Sequence, residues 1–264
     1  MKMPVLFIGH GSPMNIIADN DFTRSLVKLG KDLPKPGAIL VVSAHWLTEG
    51  TFVTCEEKPK TIHDFSGFPE ELYRINYPSP GSPVDARLIT ETVKKPAVKC
   101  STEWGLDHAS WMILKHIYPK ADIPVIEMSL DYPPYDERDL KTLQYYYDLA
   151  KQLNFLRDRN ILIIGSGNIV HNLRLADFEN TDAEPYDWAV EFDEQVKRNL
   201  LDRNHKALLD FQNLTPAKVL SVPTFDHYLP MVFAVALQGK DDALIFTYEG
   251  FQNASVSMRC FKIG

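Results

Sequence analysis

Three short apolar segments, each leading to a histidine, constrain the fold of this chain more than any other feature. The segments are VLFI at residues 5–8 before His10, AILVVSA at 38–44 before His45, and ILIIG at 161–165 before His171. Their length and their β-branched residues predict strands that are buried on both faces. Because ligands bind at the carboxyl ends of the strands in open α/β sheets, we expect the three histidines to meet in one crevice.

Amphipathic segments between the strands predict helices, and this alternation indicates an α/β fold. Asn20 and Asp107 are suited to cap two helices, and residues 137–153 and 186–203 have helical periodicity. Further strands are predicted at 51–55 as a hairpin-like continuation, 73–77, near 98, 123–128, 219–222, and as an antiparallel pair at 243–248 and 254–261. We therefore predict a single domain over residues 1–264, with a central mixed, largely parallel β-sheet flanked by helices and a metal site at the carboxyl ends of the strands.

Charge and composition argue against several classes of protein. The 28 Lys and Arg are outnumbered by 35 Asp and Glu, and a formal charge of -7 disfavours a nucleic-acid-binding surface. No apolar segment is long enough to span a bilayer, and the first apolar run is too short for a signal peptide. Cys55, Cys100 and Cys260 are far apart and predict neither a disulfide framework nor a CxxC metal site. Together these features predict a soluble protein of a reducing, cytoplasmic compartment.

Residues 57–83 form a long segment that is rich in proline and aromatic residues. It contains TIHDFSGFP at residues 61–69. Long irregular segments of this kind are more often functional than simple spacers. We interpret it as the wall or lid of a pocket.

Five of the eight histidines are candidates for chemistry. They are the three at the strand ends, together with His108 and His227, which each follow an aspartate at a predicted helix start. Histidine is the commonest metal ligand, and neutral imidazoles bind both Zn²⁺ and Fe²⁺. Any one of them alone is better interpreted as a hydrogen-bonded structural residue, but the convergence of the set favours a shared metal site.

The other histidines and the remaining polar motifs are not expected to carry out chemistry. His116 is expected to be structural or at the surface, His205 is expected to be solvated, and His63 lies in the suspected lid. Ser12 has no GxSxG elbow around it and is not expected to be a nucleophile. The sequence GSGN at residues 165–168 lacks the rest of a dinucleotide fingerprint and predicts a tight turn.

Six motifs resemble those of the class III extradiol ring-cleavage dioxygenases, in particular the DOPA 4,5-dioxygenase type. They are GHGSP, SAHW, TIHDFSGFP, LDHASW, GSGNIVHNL and FDHYLP, spread from residue 9 to residue 230. The resemblance implies one mononuclear metal ion, Fe²⁺ for activity and often Zn²⁺ as isolated. It implies cleavage of a catechol such as DOPA by O₂, to a muconic semialdehyde that can cyclise.

Carried over motif by motif, the resemblance makes His10, His45 and His227 metal ligands. It places His171 beside the metal, as a fourth ligand or as the catalytic base, and His108 as a second acid/base residue. Many non-haem iron oxygenases use two histidines and one carboxylate, whereas the third position here is His227. An all-histidine set suits zinc as well as iron.

Two other functions remain as alternatives. One is a zinc-dependent hydrolase in which the same three histidines polarise a water and His171 acts as base. The other is a non-catalytic binding protein on the same scaffold, like the Memo-type relatives. For the dioxygenase, the expected partners are a catechol and O₂, with neither nucleic acid nor membrane, in a monomer or small homo-oligomer. Asp64, Arg74 and Tyr228 are candidates for binding the substituent of the catechol.

Overall fold

Ten strands form a large sheet and a small one in the computed structural model, which describes residues 2–132 and 142–264. The strands are β1 (Val5–Gly9), β2 (Ala38–Thr48), β3 (Thr51–Thr54), β4 (Val98–Ser101), β5 (Val125–Asp131), β6 (Ile161–Gly167), β7 (Leu244–Tyr248), β8 (Phe251–Gln252), β9 (Val256–Ser257) and β10 (Cys260–Ile263). The large sheet has the order β4-β3-β5-β2-β6-β1-β10-β7, and β8 pairs with β9. Its four central strands, β5, β2, β6 and β1, are parallel, whereas β10 and β7 extend it in antiparallel fashion. The predicted mixed, largely parallel sheet is confirmed.

Helices cover both faces of the large sheet. They are α1 (Asp21–Asp32), α2 (Glu70–Tyr73), α3 (Pro83–Thr92), α4 (His108–Ile117), α5 (Leu143–Lys151), α6 (Phe155–Asp158), α7 (Asp187–Leu201), α8 (His205–Leu209), α9 (Lys218–Ser221) and α10 (Leu229–Ala236). The predicted caps are present, since Asn20 and Asp107 accept hydrogen bonds from backbone N–H groups in the first turns of α1 and α4. No described helix has both the length and the apolar character needed to cross a membrane.

Each face of the sheet buries its own hydrophobic core, which is why β1 is apolar along its whole length. In β1, Val5 and Phe7 belong to the core beneath α5 and α10, whereas Leu6 and Ile8 belong to the core beneath α1 and α4. Each such side chain contributes about 1.5–3 kcal/mol when fully buried. His10 therefore directly follows a strand that is buried on both faces.

Several predicted elements differ from those in the structure. Residues 73–77 are not a strand, because α2 ends at Tyr73, and residues 218–221 form a helix instead of the strand predicted at 219–222. Apolar runs this short do not distinguish a strand from a helical turn. The predicted hairpin between β2 and β3 is also wrong, since β5 lies between them. Of the helix predicted at 137–153, residues 137–141 lie outside the described residues.

Cys55 and Cys100 form a disulfide, which corrects the prediction that the cysteines are unpaired. Strands β3 and β4 pair in parallel with Val53 opposite Cys100, and this register brings the two cysteines to a Cα–Cα distance of 5.7 Å. A separation of 45 residues in sequence gave no indication of that contact. Cys260 is a buried free thiol. The cytoplasmic compartment, which was inferred partly from unpaired cysteines, stays a prediction.

Candidate metal centre

His10, His45 and His227 converge from three different elements at the carboxyl edge of the sheet. The backbone N–H of His10 donates to Gly167 O at 3.1 Å, which fixes it directly after β1. His45 lies inside β2, and not after it as predicted, where the pairing with β5 is irregular. His227 lies just before α10, and its carbonyl accepts from the N–H of Asn168 at 2.9 Å.

One nitrogen from each of these three rings lies within 4.8 Å of the other two. The ring centroids are 5.2 Å apart for His10 and His45, 5.4 Å for His10 and His227, and 5.0 Å for His45 and His227. His108 and His171 adjoin them, so all five candidate histidines line one cavity of about 550 Å³. The predicted convergence of His10, His45 and His171 is therefore what the structure contains, and His108 and His227 line the same cavity.

A serine from β6 fixes which ring nitrogen of His10 faces the cluster. The hydroxyl of Ser166 lies 3.1 Å from Nδ1 of His10 and donates its own hydrogen to Ala109 O at 2.7 Å. Since that hydrogen is already committed, Ser166 accepts from Nδ1–H, and the lone pair of His10 is on Nε2. Ser166 belongs to the GSGN segment predicted as a turn, but β6 continues through Gly167.

Two carboxylates set the tautomers of the other two rings in the same way. Nδ1 of His45 lies 3.2 Å from Asp64 Oδ2, and Nδ1 of His227 lies 2.6 Å from Asp226 Oδ2. Each carboxylate accepts the Nδ1 hydrogen, so Nε2 on the opposite side is the nitrogen that carries the lone pair when the ring is neutral. Partners of this kind are typical of metal-ligating histidines.

Among the described residues, the Nε2 atoms of these three rings have no hydrogen-bond partner outside the group. Nε2 of His10 and Nε2 of His45 are 3.2 Å apart, so they can share one hydrogen when either ring carries it there. Nε2 of His227 is buried and has no hydrogen-bond partner in the part of the chain that the structure describes. A cation placed among them would satisfy all three, and neutral imidazole nitrogen suits both zinc and iron. The residues present therefore fit a metal ion.

The electrostatic environment keeps two of these rings neutral and both carboxylates ionised. Burial lowers the pKa of His10 well below its ordinary value, with the neighbouring histidines adding to the effect. Burial also lowers the pKa of His227, although Asp226 partly offsets it. The pKa of His45 is raised, because its hydrogen bond to Asp64 and the nearby carboxylates outweigh burial. Burial opposes ionisation of Asp64 and Asp226, but their histidine partners hold the pKa of each below its usual range.

A second group, formed by His45, Asp64 and His108, is also compact enough to hold a metal ion. Asp64 accepts from the backbone N–H of His108 through Oδ1 and from its Nδ1 through Oδ2, both at 2.8 Å. Its hydrogen bonds are thus complete without a metal, unlike those of the first group. Nε2 of His108 is the ring nitrogen left available to a ligand, and burial lowers the pKa of this ring.

His171 lies against His227, but it is not part of the group formed by His10, His45 and His227. Its ring stacks on that of His227, with centroids 3.5 Å apart and planes at 9°. Among the described residues no side chain hydrogen-bonds to this ring, and burial lowers its pKa well below the ordinary value. A neutral imidazole with free nitrogens in a cavity can accept a proton from a ligand.

Beneath the histidines lies a buried acidic network that the sequence analysis missed. Ser43 Oγ donates to Asp107 Oδ2 at 2.6 Å, and the N–H of Asp107 donates to Glu127 Oε2 at 3.0 Å. Burial and the charge of Asp107 raise the pKa of Glu127 well above its usual value. Trp104 Nε1 donates to the other oxygen of Glu127 at 2.7 Å. A glutamate inside the apolar strand IPVIEMSL is the signal that could have disclosed this network.

The segment at 57–83 contributes to the cavity as predicted, through Asp64, Phe65, Ser66 and Phe68. His63 does not face the cavity, since its Nε2 donates to Ile75 O at 3.0 Å and holds the segment in place.

Other polar residues have structural positions. His116 donates to Asn15 O, in agreement with its predicted structural role, whereas His205 is half-buried between Tyr147 and Gln238 and not solvated. Of the three residues predicted as candidates for binding the substituent, only Asp64 lines the cavity. Arg74 is an exposed partner of Glu70, and Tyr228 is fully buried with its hydroxyl on Leu208 O, so neither lines the cavity.

Replacing Ser166 with alanine is expected to weaken metal binding about 10- to 100-fold, because Nδ1 of His10 loses the acceptor that fixes its tautomer. The dissociation constant for Zn²⁺ can be measured by competition with a chelating dye. Ser129→Ala is the matched control, since Ser129 is equally buried in β5 and bonds Thr48 and Phe52 instead. Equal metal affinity in the two variants would contradict the role given to Ser166.

Comparison with known proteins agrees with this geometry. Residues 4–258 match the family described as the catalytic LigB subunit of aromatic ring-opening dioxygenase. The chain is 43% identical to a 4,5-DOPA dioxygenase extradiol of Escherichia coli (strain K12), over 100% of this chain and 95% of that protein. A 4,5-DOPA dioxygenase extradiol of Mirabilis jalapa is 33% identical over 89% of this chain and 86% of its own. The crystal structure of an uncharacterized protein from Escherichia coli K12 superposes with a TM-score of 0.84 at 38% identity, covering 100% of both chains.

Proposed function

The chain belongs to the family of the catalytic LigB subunit of aromatic ring-opening dioxygenases, and from this premise we propose that it cleaves a catechol such as DOPA in extradiol fashion. The proposed reaction is 4,5-cleavage by O₂ to a muconic semialdehyde that can cyclise. The observation that carries the proposal is the convergence of the Nε2 atoms of His10, His45 and His227, of which that of His227 is buried without a hydrogen-bond partner among the described residues. A cation would satisfy all three nitrogens, and the cavity beside them has room for an aromatic ligand.

We assign His10, His45 and His227 as the ligands of one mononuclear metal ion. Fe²⁺ bound there would supply the redox chemistry that O₂ requires, whereas Zn²⁺ has none. Ser166, Asp64 and Asp226 would orient the three imidazoles by accepting their Nδ1 hydrogens.

His171 is the proposed general base. It is held neutral by burial, lines the cavity, and has no hydrogen-bonding side chain that would compete for its ring nitrogens among the described residues. It would therefore accept a proton from a catechol hydroxyl. Its stacking on His227 holds the ring in position beside the proposed metal ligands.

His108 is the proposed second acid/base residue. Asp64 accepts its Nδ1 hydrogen, so Nε2 is the atom that would exchange a proton with substrate or product. The ring also lies at the amino terminus of α4, where the helix dipole disfavours the imidazolium and makes it a stronger proton donor.

Family membership favours the dioxygenase over the alternatives. A zinc hydrolase would use the same three histidines with His171 as its base, and it would find no free carboxylate in Asp64 or Asp226, because both are hydrogen-bonded to histidines. A binding protein would have no need for five converging imidazoles. The proposed partners are the catechol and O₂, and the cytoplasmic location and small assembly are proposed with them.

Product analysis tests the proposed reaction. Iron-loaded protein is incubated with DOPA in air, and the product is identified by NMR and mass spectrometry. Extradiol cleavage gives a ring-opened product with an aldehyde carbon, or its cyclised form. A dicarboxylate formed by cleavage between the two hydroxyls would contradict the proposal.

Changing His108 to phenylalanine is expected to lower kcat about a hundredfold while metal content stays at the wild-type level, because general acid–base residues contribute factors of this order. Metal is measured by atomic emission spectrometry and turnover by oxygen uptake. A second variant, Asp64→Asn, replaces the carboxylate that accepts the Nδ1 hydrogen of His108 by an amide of the same shape, and it should also lower kcat. Loss of metal from His108→Phe would instead make His108 a ligand.

A further inference from the structure

The outer part of the cavity is apolar. Phe65 and Phe68, whose ring centroids are 5.4 Å apart, line it together with Leu173 and Phe178. Leu173 is 50% exposed and Phe178 is 69% exposed, although both are large apolar side chains. Exposed apolar residues gathered at the mouth of a cavity are characteristic of ligand sites.

The charged groups of the cavity are all acidic or histidine. Asp64 and Asp226 line it, and no lysine or arginine does so in the described ranges 2–132 and 142–264. Arg174, next to Leu173, is exposed and does not line the cavity. A ligand carboxylate in the outer cavity would find no lysine or arginine to pair with among the described residues, and a charge that leaves water without such a partner is costly.

Away from the histidines, the uncharged polar side chains that line the cavity are Ser12, Ser66 and Asn253. Asn253 Nδ2 donates to Asp177 O at 2.8 Å, and Ser12 Oγ accepts from the N–H of Met14 at 3.3 Å. Among the described residues, the outer cavity therefore offers few hydrogen-bonding side chains to a substituent, and none that is positively charged.

We infer that the preferred substrate is a catechol whose ring substituent is apolar and carries no carboxylate. This inference rests on the proposed function and specifies the substituent of its substrate. DOPA, whose side chain is zwitterionic, would be cleaved but would bind weakly. The hydroxyl-bearing ring would face the histidines, and the substituent would contact the apolar side chains of Phe65, Phe68, Leu173 and Phe178.

A matched pair of catechols tests the inference. 4-(3-Methylbutyl)catechol and 3-(3,4-dihydroxyphenyl)propionate have substituents of the same shape, but only the second is charged. Binding is measured by calorimetry on the zinc-loaded protein, which does not turn over, and kcat/KM is measured on the iron-loaded protein. We expect the alkylcatechol to bind at least about tenfold more tightly and to have a kcat/KM higher by a similar factor.

Two arginine variants distinguish the effect of a positive charge inside the cavity from that of the same charge outside it. Leu173→Arg places a cation in the cavity and is expected to reduce the preference to about equality or reverse it. Leu175→Arg adds the same charge two residues away, at an exposed position that does not line the cavity, and should leave the preference unchanged. An equal response of the two variants would overturn the inference.

The outcomes for the inference and for the proposed function are distinguishable. If the zinc-loaded protein binds the propionate as tightly as the alkylcatechol, or binds neither, the inference is wrong. If the binding preference is found but the iron-loaded protein cleaves neither compound, the inference stands and the proposed function fails.

Discussion

Replacing His227 with alanine is expected to abolish stoichiometric metal binding and to lower ring cleavage by about three orders of magnitude or more. The variant removes one of three converging Nε2 atoms, and the loss of several kcal/mol of stabilisation from a metal ion corresponds to a factor of that size. Bound metal is measured after equilibration with limiting Zn²⁺, and turnover is measured after loading with Fe²⁺.

His205→Ala is the control for this prediction. His205 is a half-buried histidine outside the cavity, where it bonds Gln238 and Tyr147, and its loss should leave metal content unchanged. Full metal occupancy in folded His227→Ala protein would contradict the assignment of His227 as a ligand. Circular dichroism of both variants establishes that they are folded.

Changing His171 to phenylalanine is expected to lower kcat about a thousandfold with metal content unchanged. Phenylalanine keeps a flat ring that can stack on His227, so the position of the metal ligand is maintained while the proton acceptor is lost. Rapid mixing under single-turnover conditions separates the chemical step from product release. The measurement decides between the two roles that the sequence left open for His171.

Rescue by imidazole would support the role of His171 as a base, and loss of metal would contradict it. His171→Ala leaves a space beside His227, and added imidazole should restore part of the rate if the residue acts as a base. Loss of metal from His171→Phe, with no rescue of His171→Ala by imidazole, would show that His171 is a fourth ligand.

The sequence predicts the scaffold because its signals are local and strong. The run VLFIG is buried on both faces of β1 and leads directly to His10, and the cap at Asp107 places His108 in the first turn of α4. Short runs carry less information, as the wrong strand at 219–222 shows. The convergence of His10, His45 and His171 follows from strand order, because β2, β6 and β1 are neighbours in the sheet.

The groups that orient the histidines could not be predicted, because their roles depend on contacts between distant parts of the chain. Ser166 meets His10 across 156 residues, and a serine flanked by glycines gives no indication of that contact. Cys55 and Cys100 are paired by the register of two short strands, which no spacing rule reveals. Asp226 is the exception, since it directly precedes the histidine whose ring it holds.

The central claim is that His10, His45 and His227 hold a metal ion whose redox chemistry opens a catechol ring. The most direct test is to load metal-free protein anaerobically with Fe²⁺ or Zn²⁺, add 4-methylcatechol and then air, and follow O₂ uptake and visible absorbance together. The account predicts a yellow ring-opened product and equimolar O₂ consumption in the iron sample, with neither in the zinc sample. Equal turnover with zinc, or no O₂ uptake by the iron-loaded protein with any catechol, would contradict it.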